Sequence, residues 1–151
     1  MPTRTLLARL DALPRGAAAV ELSPAATEGW LAARERLSLM IDGDPRIYRA
    51  PLSRLQEPAR FASIRVDGRD AAVAYAAVAH GVVVLEAVAT DPAFSRRGLA
   101  TALVATLLAW GRNEGADFAA LQVRADNAGA IALYRRLGFV QEGDPYHYRR
   151  R

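Results

Sequence analysis

The sequence contains no cysteine, which excludes disulfides, thiolate metal sites and a cysteine nucleophile together. It contains no lysine either, so all 20 basic residues are arginine. Histidine occurs only twice, and no group of His, Asp and Glu has the spacing of a metal site. No apolar run reaches the roughly 18–20 residues of a membrane span, and the first residues lack the apolar core of a signal peptide. A cytoplasmic protein with no membrane partner is the expectation. What is present is 151 residues with 52% hydrophobic content and 24% charge, enough for one buried core and too apolar for a wholly disordered chain. The net charge is +4, and Arg149 to Arg151 supply three of the surplus charges. The body is therefore almost neutral, so nucleic acid is not an expected partner, while a small basic pocket for a phosphorylated ligand fits.

Residues 1–14 (MPTRTLLARLDALP) have the composition of a short amphipathic helix and read as an N-terminal extension. Pro14 and Gly16 separate it from a single domain over residues 15–151. Residues 17–22 read as a strand. Ser23 and Pro24 have the chemistry of an N-cap and a first helical residue, opening a helix that turns Trp30, Leu31, Leu37 and Met40 inward. Ile41 to Pro58, with three prolines, reads as irregular with one turn of helix. From Phe61 the pattern sharpens. FASIRV alternates, Asp67-Gly68 marks a tight hairpin, and AAVAYAAVA is the second strand. His80-Gly81 turns into VVVLEAVAT, whose near-continuous apolar character predicts a central strand covered on both faces.

A helix is predicted from near Arg97 to about Asn113, with Leu99, Leu103, Leu107 and Trp110 along one face and Glu114-Gly115 ending it. DFAALQVR (residues 117–124) is the next strand. Asp126-Asn127 caps the helix AGAIALYRRL, and Gly138 closes it as the residue past the cap. Phe139-Val140 and Tyr146-His147-Tyr148 read as a last hairpin. The order β-α-(α)-β-β-β-α-β-α-β predicts an α/β sheet of mixed direction.

Two segments carry chemistry. In Thr90 to Thr101 (TDPAFSRRGLAT) a strand ends, a loop crosses, and a helix opens on small residues. Free backbone N–H groups at a helix start, with the positive end of the macrodipole, attract an anion. Gly98 lets backbone approach a ligand, and Arg96 and Arg97 add charge for phosphates. An ordinary strand-to-helix turn fits equally well. The segment is neither a Walker loop nor G-x-G-x-x-G. In the second segment, Asn127 and Tyr134 stand seven apart, close to two helical turns, and can share a face. Taken singly, such an Asn is most often a cap and such a Tyr most often core.

Together, Ser95-Arg96-Arg97-Gly98-Leu99-Ala100 and Asn127 through Tyr134 to Phe139 closely resemble the GCN5-related N-acetyltransferase (GNAT) family, with its R/Q-x-x-G-x-G/A loop and downstream N-x-x-A-x-x-L-Y-x-x-L-G-F. The resemblance covers about residues 60–149 and implies a mixed, largely antiparallel sheet of six to seven strands flanked by about four helices. It implies acetyl-CoA as cosubstrate and no metal. The diphosphate is then held by backbone from Ser95, Arg96, Arg97, Gly98, Leu99, Ala100 and Thr101. The pantetheine arm lies along Val88-Ala89-Thr90, and Asn127 touches the cofactor. In the family this strand splays from its neighbour to open a slot for the thioester. Tyr134 corresponds to the proposed general acid, and Glu86 lies where some members place a carboxylate proposed as base; a solvent-facing or ion-paired Glu86 is the simpler account.

The implied activity is N-acetylation of a primary amine by direct attack, because a covalent acyl-enzyme on cysteine is excluded. The Val88 N–H would stabilise the oxyanion if the strand bulges there. Two positions depart from the pattern. Ser95 replaces the usual Gln or Arg, and Gln122 stands where the similar ribosomal-protein N-terminal acetyltransferases carry a Glu. His80 is expected at the surface, and His147 on the last strand. A non-catalytic acyl-CoA-binding module, a protein N-terminal acetyltransferase and an RNA-directed basic protein stay open as alternatives. So does a homodimer formed through an edge strand. The closing YHYRR, after the L-Y-x-x-L-G-F motif, is also similar to C-terminal halves of longer bacterial members with two such units, which suggests a catalytic half standing alone.

Overall fold

Strand and helix boundaries follow the local chemistry over the residues that the computed structural model describes, 3–10, 20–41, 58–139 and 141–142. In chain order these are β1 (Thr3–Arg9), β2 (Glu21–Ser23), α1 (Glu28–Ile41), β3 (Ala59–Val66), β4 (Arg69–Ala79) and β5 (Val82–Thr90). A 3-10 turn (Pro92–Phe94), α2 (Leu99–Asn113), β6 (Phe118–Arg124), α3 (Ala128–Arg136) and β7 (Gln141–Glu142) complete them. The strands form one seven-stranded sheet in the order β2-β3-β4-β5-β6-β1-β7. Every neighbouring pair is antiparallel except β5 and β6, which run parallel because α2 carries the chain between them.

Both predicted hairpins form, with positive φ at Asp67 (53°) and Gly68 (76°) and again at His80 (54°) and Gly81 (75°). Positive φ at both central residues is the mirror-image turn whose twist matches the flanking strands. These turns fix which side chains face which layer. Ala72, Ala74 and Ala76 of β4 meet Leu103, Leu107 and Leu108 of α2. Val73 and Tyr75, of the opposite parity, meet Trp30, Ala33 and Leu37 of α1. The sheet therefore separates an α2 face from an α1 face. Central β5 is covered on both, as its apolar run predicts.

The alanine-rich β4 lets α2 lie close to the sheet, and one contact shows how close. A Cβ on Gly111, in the last turn of α2, would stand 2.7 Å from the Cβ of Val83. Val83 is fully buried on the central strand and has nowhere to move.

The N-terminal part departs from expectation. Residues 3–9 are strand, not helix: β1 pairs with β6 from Thr3↔Arg124 to Arg9↔Phe118 and takes β7 on its other side at Leu6 and Leu7. Leu6 and Leu7 are both buried, on opposite faces. A strand covered on both sides loses the alternation that would betray it, and Leu6, Leu7 and Leu10 also fit helical spacing. The helix cap moves as well. Ser23 ends β2 and bonds locally, its Oγ donating to the Ala25 carbonyl at 2.8 Å. Thr27 caps α1 instead, accepting from the Trp30 N–H at 3.1 Å. Trp30 and Leu37, two turns apart, are buried and Leu31 is half-buried, whereas the Met40 side chain lies outside the described residues. So do residues 42–57 and 143–151, with the irregular stretch, the second arm of the last hairpin and His147.

One ion pair joins α1 to the turn beyond β5. Asp91 is buried, and its carboxylate accepts from the Ala93 N–H at 2.9 Å and from Arg36 Nη1 at 3.0 Å. The other Arg36 nitrogen donates to the Asp70 carbonyl. The backbone bond to Ala93 first, and the Arg36 guanidinium second, hold the Asp91 carboxyl below its ordinary range.

Two outcomes follow from this packing. Gly111→Ala, which helix propensity alone would make stabilising by about 1 kcal/mol, is expected to destabilise by about 1–3 kcal/mol through overpacking against Val83, read by denaturant unfolding. Arg36→Met is expected to lower the Tm at neutral pH. A depressed carboxyl contributes stability above its usual range and loses it on acidification. The Tm gap to wild type should therefore narrow as the pH falls below about 4, leaving the part due to the Asp70 carbonyl bond.

Candidate active site

Strands β5 and β6 pair over only four rungs, Val82↔Phe118 to Leu85↔Leu121. Beyond Leu85, β5 continues to Thr90 along β4, and beyond Leu121, β6 continues to Arg124 along β1. The two strands part there and open a fork. The β4–β5 register also shifts: Tyr75 faces Glu86, but Val73 faces Ala89, so β5 carries one extra residue between Glu86 and Ala89. That is a β-bulge, which bends and twists its strand. It leaves Glu86 and Ala89 on the α1 face and turns half-buried Val88 to the α2 face.

The chain then crosses from Asp91 to α2 through a turn held by Asp91. Left-handed backbone occurs at Arg96 (φ 64°) and Gly98 (φ 76°). Such reversals converge successive N–H groups on one point. The helix starts two residues later than Arg97, because Gly98 in the left-handed region is its cap residue, with no side-chain cap bond. The N–H groups of Leu99, Ala100 and Thr101 have no carbonyl one turn behind them. Ser95, Arg96 and Arg97 are exposed, and the Arg97 guanidinium lies 5.2 Å over the ring of Phe94. The result is a cationic turn with unspent donors, a few residues beyond the fork.

After β6, Asn127 caps α3, its Oδ1 accepting from the Ala130 N–H at 3.1 Å. Tyr134, two turns on, is buried at 7% exposure, and burial pushes its hydroxyl up to about 12. A Schellman end fixes this ring. Gly138, at φ 104°, donates its N–H to the Arg135 carbonyl, and Phe139 donates to Tyr134 at 3.0 Å. The Phe139 ring meets Tyr134 edge-on at 6.0 Å. The Leu-Gly-Phe ending is thus the local device that holds the tyrosine.

Glu86 and Gln122 are the first residues past the last paired rung, exposed and on the same face of the sheet. The hydroxyl of Tyr75, opposite Glu86 on β4, donates to Glu86 Oε2. His80 lies exposed in its turn. Among the described residues, no three His, Asp or Glu side chains form a metal-binding group, and no helix is long and apolar enough to cross a membrane. A cleft of about 450 Å³ lined by Arg9, Arg112, Asp117 and Phe118 lies at the closed end of the β5–β6 pair, away from the fork.

Reasoning from sequence did not find the Asp91–Arg36 link, buried Arg34 or the Tyr75–Glu86 contact. The Asp91–Arg36 and Tyr75–Glu86 contacts join residues that no local pattern brings together. The only local signal was Asp-Pro after a strand, the pattern of an Asp-capped turn.

Residues 18–139 match the family model described as Acetyltransferase (GNAT) family. The [ribosomal protein bS18]-alanine N-acetyltransferase of Salmonella typhimurium is 42% identical over 76 residues, 50% of this chain and 51% of the relative. The mycothiol acetyltransferase of Clavibacter michiganensis is 31% identical over 144 residues, 91% of this chain and 47% of the relative. The chain thus spans about half the length of the curated relatives it matches. The solved ribosomal-protein-S18-alanine N-acetyltransferase of Escherichia coli superposes with a TM-score of 0.66 at 28% identity, covering 80% of this chain and 77% of that one. With the forked sheet and the N–H-lined turn in place, the match over most of its length makes this chain a member of the GNAT acetyltransferase family.

Proposed function

We propose that the protein is a cytoplasmic acetyl-CoA-dependent N-acetyltransferase that acetylates a primary amine by direct attack. The observation that carries this reading is the fork between β5 and β6, with the N–H-lined turn before α2 following directly on β5. A diphosphate suits the turn from Ser95 to Thr101, where backbone donors and two exposed arginines supply charge complementarity without a metal. The amide arm of acetyl-CoA pairs with Val88, Ala89 and Thr90 as an added strand. Asn127, whose Oδ1 is spent on its cap, offers its amide nitrogen to the cofactor.

An amine is a nucleophile only when unprotonated, and a lysine-like amine has a reference pKa of about 10.4. Glu86, at the mouth of the fork, takes the ammonium proton directly or through water. The nitrogen then attacks the thioester carbonyl, the C–N bond forms, and the oxyanion is met by the N–H of Val88 at the bulge. Collapse breaks the C–S bond. Tyr134, protonated at neutral pH, gives its proton to the departing thiolate and recovers one from the acylated nitrogen. Of the two protons that the ammonium sheds, one reaches solvent and the other ends on the thiol.

A peptide α-amine is the second reading, favoured by the 42% identity to the bS18-alanine enzyme over 76 residues. Gln122 weighs against it, since an amide cannot accept the proton there.

Thiol release from acetyl-CoA is expected with at least one member of a panel of peptide α-amines, polyamines and aminoglycosides; none at all would overturn the activity. Tyr134→Phe should lower kcat roughly 100-fold while calorimetric affinity for acetyl-CoA stays within error. Unchanged turnover removes Tyr134 from the reaction. Gly98→Val should abolish acetyl-CoA binding, because a β-branched residue resists the left-handed backbone that aims the N–H groups. Retained affinity contradicts the turn assignment.

A further inference from the structure

The α1 face of the sheet holds one polar contact at the edge of an aromatic cluster. Tyr75 and Glu86 are directly opposed on antiparallel β4 and β5, the last rung before the bulge. The Tyr75 ring is 6% exposed, stacked on Phe61 at 5.5 Å and 17°, and met edge-on by Trp30 at 6.1 Å. Trp30 is itself fixed by its Nε1–H, which donates to the Ala62 carbonyl at 3.0 Å. The phenol therefore has no freedom to move, and its hydroxyl is a donor at one position.

That donor is always present. Burial first, and the bond to Glu86 second, push the Tyr75 hydroxyl far above neutral pH, although the charge of buried Arg34 on α1 opposes this. Glu86 is exposed. A glutamate on a strand surface has several rotamers open to it, so an unheld carboxylate at the fork would spend most of its time aimed elsewhere. Tyr75 engages Oε2. The other oxygen, Oε1, is left for a proton arriving from the fork.

We infer that Tyr75 is a positioning residue for the transfer reaction, holding the Glu86 carboxylate at the fork so that Oε1 meets the acceptor ammonium. This rests on the reading of Glu86 as proton acceptor, and the two can fail separately. No bond to the substrate is asked of Tyr75: it acts through Glu86 alone, and without Glu86 it has nothing to do in the reaction.

The test is a double-mutant cycle of Tyr75→Phe, Glu86→Gln and the pair, with the amine turned over fastest in the panel of peptide α-amines, polyamines and aminoglycosides. Phenylalanine keeps the ring packing, and thermal unfolding of each variant checks that the cluster stands. Tyr75→Phe should lower kcat about tenfold with the KM for acetyl-CoA unchanged, and should cost nothing further in the Glu86→Gln background. Wild-type kcat for Glu86→Gln overturns the role of Glu86 and this inference with it, as does the absence of any turnover across the panel. A large loss in Glu86→Gln, with Tyr75→Phe at wild-type kcat or with the two losses multiplying, overturns the role of Tyr75 and leaves Glu86 in place.

Discussion

Parallel pairing between β5 and β6 stops after Leu85↔Leu121, and that early stop organises the rest of the molecule. Past it, each strand keeps a partner on its outer side only, β4 for β5 and β1 for β6. The inner edges then present backbone groups that a sheet would normally pair. A parallel pair needs a crossover, and α2 is that crossover, so its N-terminus is delivered beside the same opening. The groups that could grip an anion and the opening that could admit an acyl chain are thus consequences of one connection.

The bulge in β5 acts on the same region from the other side. By adding one residue between Glu86 and Ala89 it reverses the facing of everything beyond Glu86. Glu86 stays on the α1 face with Tyr75, while Val88 turns toward the α2 face. Without it, strict alternation would put Glu86 and Val88 on the same side. The aromatic cluster of Trp30, Phe61 and Tyr75 ties α1 to β3 and β4, and the Arg36–Asp91 pair ties it to the turn after the bent strand. The helix over one face is thereby joined to the backbone that leads into the other.

Stability and reactivity meet in α3. Its Leu-Gly-Phe ending satisfies two carbonyls of the last turn and sets the Phe139 ring against Tyr134. The same burial that fixes this ring raises its hydroxyl above the ordinary tyrosine value, to about 12. A motif that reads as a binding signature is, at the level of bonds, first a helix stop.

From residue 59 to residue 139, elements were legible because their signals are local: two positive-φ turns, an apolar central strand, a capping Asn127, and glycine after each helix. Membership of the family was legible too, since its two motifs are contiguous stretches around Gly98 and Tyr134. The cap at Thr27 and the strand at residues 3–9 were not, because Ser23 offers the same hydroxyl and Leu6 and Leu7 bury on opposite faces. Nor could any pattern announce that Tyr75 would meet Glu86, or Arg36 meet Asp91, 55 residues apart. From residue 59 on, the chain by itself determined which segments are strands, turns and helices, as these depend on neighbours within a few residues. Only the tertiary structure decided where β5 and β6 part, where β5 bulges and which polar groups then converge, for these depend on how strands remote in sequence share hydrogen bonds.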